Sequence, residues 1–83
     1  MILKVFAVYD QKGEVYSNPW YRTTKGLALR DFEASVNDPN HPFCKNPEDF
    51  TMSELGEYDD SKGKFTNLST PISLGLALEF KKQ

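Results

Sequence analysis

Tyr16, Trp20, Tyr21 and Arg22, with Lys12, Lys25 and Arg30 close by in the chain, interleave aromatic faces with cations. A platform for single-stranded nucleic acid has this make-up, since bases stack on rings while phosphates meet lysine and arginine. Tyr16, Trp20, Tyr21, Arg22, Lys25 and Arg30 are therefore the candidate nucleic-acid-binding residues. The structural alternative is that Trp20 and Tyr21 simply cover the sheet and the start of a helix. Other constellations carry less. His41 and Cys44 could place two ligands on one metal, but zinc generally takes three or four, and the chain has no other histidine or cysteine. No metal or cofactor is expected. The same pair lacks an orienting third group or a recognisable oxyanion hole, so it does not read as a nucleophile and its base. The acid pairs Glu48-Asp49 and Asp59-Asp60 are accounted for by a helix start and a turn. The five glycines are scattered and form no phosphate-binding loop. No catalytic residue is expected, and the chain reads as a non-enzyme.

Charge along the chain limits where phosphate could approach. Residues 1 to 30 hold five cations and two acids, residues 31 to 60 one cation and nine acids, and the remainder four cations and one acid. The net charge of −2 thus hides a basic, acidic, basic order. Phosphate would have to approach the flanking segments and avoid the middle one. The acidic middle is also a candidate surface for a protein partner.

The elements that must position these residues follow from period and punctuation. At 83 residues, the chain is expected to form a single domain spanning residues 1–83. Residues 2–9 are β-branched and aromatic on both faces, as in a central strand. Asp10-Gln11-Lys12-Gly13 forms a turn in which Gly13 can adopt positive φ, and residues 14–16 return from it before Pro19. Ala28, Leu29, Phe32 and Val36 then fall at helical spacing, which predicts a helix over about 24–37. Thr23 or Thr24 caps it, and Asn37-Asp38-Pro39 ends it. Prolines keep residues 40–46 irregular, and Pro47-Glu48-Asp49 suits one helical turn capped by Asn46. Strands are expected at 50–58 and 64–68 around the turn Asp59 to Gly63. Residues 72–80 alternate like a strand, although a short helix fits Leu74, Ala77 and Leu78 as well. The expected fold is α+β: a small, mainly antiparallel sheet with one principal helix on a face. A free strand at 72–80 would pair with a second copy, giving a homodimer through Ile72 to Phe80.

One cysteine, Cys44, permits no internal disulfide, which favours a reducing cytoplasm. The opening segment is interrupted by Lys4 and has no basic leader, so neither a signal peptide nor a membrane span is expected.

Val5-Phe6-Ala7-Val8-Tyr9-Asp10, the Pro19 segment, Val36-Asn37-Asp38-Pro39, Asn46-Pro47-Glu48-Asp49-Phe50, and Leu55-Gly56-Glu57-Tyr58-Asp59-Asp60 with Gly63 occur in an order that spans nearly the whole chain. This ordered set resembles the small non-structural protein of gokushoviruses, the single-stranded DNA phages of the Microviridae. The resemblance implies a phage protein made in the host bacterial cytoplasm and absent from the virion. It implies DNA binding and a part in the switch from duplex genome replication to single-strand synthesis and packaging. It assigns no contact residues. The alternative is a module that regulates a replication initiator or procapsid through its acidic face without touching DNA.

Overall fold

The computed structural model describes residues 1–82. Five strands form one antiparallel sheet: β1 (Ile2–Asp10), β2 (Val15–Tyr16), β3 (Trp20–Arg22), β4 (Phe50–Asp59) and β5 (Lys64–Leu76). β1 lies in the middle, with β4 and then β5 on one side of it and the two short strands β2 and β3 on the other. The helices are α1 (Lys25–Val36), α2 (Pro42–Lys45) and α3 (Ala77–Phe80), with a 3-10 turn at Pro47–Asp49. The fold is α+β with one main helix, as the sequence pattern predicts.

Local chemistry explains most boundaries. Thr24 caps α1 by accepting a hydrogen bond from the Leu27 amide, and Asn37 closes its other end. The Asn37 side chain does more than end a helix: its amide donates to the Glu33 and Phe80 carbonyls, and its oxygen accepts from the Lys82 amide. It thereby ties the C-terminal segment to α1. The buried cluster beneath comprises Phe6, Val8, Ala28, Phe32, Val36, Met52 and Ala77, drawn from β1, α1, β4 and α3.

Five details depart from the sequence expectations, the first being that residues 20–22 form β3 against β1, where no strand was expected. The irregular stretch 40–46 contains α2, because Pro42 fits the first helical position and the His41 imidazole Nδ1 accepts from the Phe43 amide. Asn46 makes no side-chain cap of the 3-10 turn. Residues 64–76 form one irregular strand in place of two, and 77–80 are helical: buried Ala77 and the Phe80 ring, edge-on to Phe32, reward the bend. The strand on which a homodimer through Ile72 to Phe80 was expected therefore stops at Leu76. In the first turn, positive φ falls on Glu14, while a Cβ on Gly13 would meet the Asp10 carboxylate at 2.9 Å. Gly13 serves close approach there.

A bulge decides which way the distal half of β4 faces. β1 and β4 pair Phe6 with Glu54 and Val5 with Gly56, which leaves Leu55 as an extra residue. Without it, alternation from buried Met52 would put positions 54, 56 and 58 on the helix side. With it, Tyr58 lies opposite Leu3 on the other face. Gly56 sits where β5 approaches closely, since a Cβ there would meet the Thr66 carbonyl oxygen. Only glycine fits without moving that strand.

Candidate nucleic-acid interface

Register divides the sequence-predicted residues between two faces. On the side bearing α1, Trp20 lies opposite Phe6, and Arg22 opposite Lys4. Tyr21 lies opposite Val5 on the open side, and Tyr16 opposite Tyr9. Lys25 and Arg30 are exposed on α1. The six candidates therefore do not form one surface.

The open face is built from paired rows across the sheet. One row contains Tyr16, Tyr9 and Thr51; the next contains Ala7, Ser53 and Ser73; then come Tyr21, Val5, Gly56 and Asn67; the last contains Leu3, Tyr58 and Phe65. None of these side chains is charged. Tyr9 and Tyr16 form an aromatic pair with ring centres 4.9 Å apart. Tyr21, Tyr58 and Phe65 form a triad, with Tyr58 to Phe65 at 4.6 Å and Tyr21 to Tyr58 at 5.8 Å. Tyr16 is 42% exposed, Tyr21 38% and Phe65 54%, so ring faces remain open to a ligand. Between the two groups, Val5, Ala7 and Ser53 are buried.

Sequence reasoning missed Tyr9, Tyr58 and Phe65. A signal for two of them was present: each long turn follows a tyrosine, as Tyr9-Asp10 before Lys12-Gly13 and Tyr58-Asp59 before Lys62-Gly63. Those turns place a tyrosine near either end of the open face and a lysine in the turn beyond it. Their acids are held by local donors. Asp10 accepts from the Lys12 amide, Asp59 from the Ser61 amide and hydroxyl, and Asp60 from the Met1 ammonium at 2.8 Å. The Ser61 hydrogen bonds are the main reason that the Asp59 carboxyl titrates below the ordinary range.

The helix side is organised by Asp31. Its carboxylate accepts two hydrogen bonds from the Arg22 guanidinium, at 2.7 and 2.8 Å, and one from the Trp20 indole at 3.2 Å. Trp20 is half-buried with its ring 5.9 Å from that of Phe6, so its structural role is secure. The Arg22 hydrogen bonds hold the Asp31 carboxyl below its ordinary value of 3.8, and raise the Arg22 guanidinium in turn. A depressed folded-state pKa makes the ionised carboxylate stabilising above the unfolded value, and that contribution is lost as pH falls through the folded value. Asp31→Asn is thus expected to melt lower than wild type at pH 6 and to lose less on acidification to pH 2. Parallel acid slopes in thermal melts of the two proteins would contradict this.

The middle-segment acids largely avoid the open face. Asp31 and Glu33 lie on α1, Glu48 and Asp49 in the 3-10 turn, and Glu54 on the helix side of β4, where its carboxylate is 3.8 Å from the Lys4 ammonium. Glu57 pairs with Lys4 on that same side. His41 and Cys44 belong to α2, one as its cap and the other half-buried. Among the described residues, no group of three or more His, Cys, Asp or Glu side chains could hold a metal ion, and no helix is long and apolar enough to cross a membrane.

Neither a curated protein nor a solved structure matches the chain. The phage ORF5 protein family does, over residues 3–80, from the start of the central strand to the last turn of α3. With all but the extreme ends of an 83-residue chain matched, the protein belongs to the phage ORF5 protein family.

Proposed function

We propose that this phage protein is the small non-structural protein of a gokushovirus and binds single-stranded DNA in the host cytoplasm, without catalysis, during the switch from duplex replication to single-strand synthesis and packaging. The observation that supports it best is an uncharged sheet face carrying five rings, with the neighbouring acids turned to the other side or held in turns. Bases stack on Tyr9, Tyr16, Tyr21, Tyr58 and Phe65, a sequence-tolerant contact because every base has a π-face. Lys12 and Lys62, in the two turns, supply phosphate contacts at the ends of that face. Trp20 and Arg22 leave this platform, being committed to Asp31.

Two phosphate contacts give a shallow salt dependence, with a slope of log K against log salt of about −1.4. Fluorescence anisotropy of labelled oligonucleotides across a salt series tests this. Preference for single strands over duplex with that shallow slope is expected. Absence of binding at low salt, together with recovery of a replication or assembly protein from infected cells, would favour the interaction-module reading.

A further inference from the structure

The face bearing α1 holds a cleft of about 280 Å³, lined by Val8, Ser17, Trp20, Asp31, Phe32, Ser35 and Phe43. We propose that it takes a single amino-bearing nucleobase. A cavity of about 150 Å³ already accommodates a benzene ring, so this cleft has room for a substituted planar ring. Its apolar surfaces come from buried Val8 and Phe32 and from the rings of Trp20 and Phe43. Such surfaces suit the faces of a base.

The polar groups choose the kind of base. An ionised carboxylate has about four lone-pair sites. Trp20 and Arg22 fill three on Asp31, and one on Oδ1 stays open. An exocyclic amino group satisfies it, whereas the carbonyl at the same position of uracil would repel it. Arg22 uses two of its N–H groups on Asp31, which leaves others for the phosphate of the same nucleotide. Asp31 is thereby a specificity residue and Arg22 an anchor.

The cleft adjoins the stacking face. Along one edge of the sheet, Tyr16 and Tyr21 belong to the open side, while Ser17 and Trp20 line the cleft. A strand crossing this edge can leave one base in the cleft and stack the next on the tyrosines. This assignment of the base to a DNA strand rests on the single-strand reading above, and the test is made independent of it by using free nucleotides.

Trp20 is the chain's one tryptophan, so its fluorescence and its indole N–H resonance report the cleft directly. Titration of the full chain with dCMP, which has an amino group at C4 and an acceptor at N3, and dUMP, which has a carbonyl at C4 and an N–H at N3, is expected to give about tenfold tighter binding of dCMP, the scale of a hydrogen bond to a charged acceptor. Ser35→Phe, which fills the cleft, is expected to abolish the response. Should that variant fail to fold, amide shifts of wild type with dCMP replace it, with changes expected around Trp20, Asp31 and Ser35. Equal binding of the two nucleotides, a response that survives Ser35→Phe, shifts elsewhere, or an equal response to indole would each overturn the proposal. Binding of dCMP without oligonucleotide binding would keep the cleft and discard the stacking platform; the converse would do the opposite.

Discussion

Replacing Tyr21 and Phe65 together by alanine is expected to weaken single-stranded DNA binding by about 30-fold or more while leaving the chain folded. Each base–ring stack is worth about 1–3 kcal/mol, and the pair removes two of the three rings in the distal triad. Both side chains are exposed, and neither belongs to the buried cluster. What folding loses is three ring contacts, two of them with Tyr58, at about 0.5–1.5 kcal/mol each. Anisotropy titration at low salt, with circular dichroism as the fold control, measures the effect. An affinity within twofold of wild type in a folded variant would remove these rings from the binding surface. Because alanine leaves the lysines in place, the salt slope should hold while the affinity drops, which separates lost stacking from lost phosphate contact.

Phe32→Ala is expected to remove about 3–5 kcal/mol of folding stability, a large share of what so small a domain holds. Phe32 is 1% exposed, and its ring lies 5.7 Å from that of Phe43 and 5.5 Å, edge-on, from that of Phe80. One side chain thus joins α1 to α2 and α3. Phenylalanine-to-alanine changes in cores cost about 3–5 kcal/mol, because the transfer free energy is lost and a cavity remains. At about 0.05–0.15 kcal/mol per residue, a domain this small holds about 4–12 kcal/mol in all. Urea unfolding followed by circular dichroism checks the loss. A decrease below about 1 kcal/mol would mean that the three helices are held by something other than this ring. Phe32→Leu retains most of the volume and should cost much less.

Much of the fold was legible because its determinants are short-range. Thr24 caps its own helix, Pro39 forbids the continuation of that helix, and Pro47 opens the 3-10 turn. The same locality explains the hairpin at Asp59 to Gly63, where Gly63 has φ of 63°. The candidate site was legible only as a composition. Trp20 and Arg22 look like ligand contacts beside Tyr21 in sequence, yet Asp31, nine or more residues away, claims both. That claim exists only once β3 lies next to α1.

By itself, then, the sequence determined where chain segments start, stop and turn, together with an α+β class, because caps, prolines and period act over a few residues. The tertiary structure alone decided which aromatic side chains share a surface. Side chains in a strand alternate between faces, so one extra residue reverses every position beyond it. Leu55 is that residue in β4: it turns Tyr58 toward Tyr21 and Phe65, and so assembles the distal half of the platform. The bulge itself depends on how β1 and β4 pair across more than forty intervening residues, a match fixed by packing on both faces of the sheet.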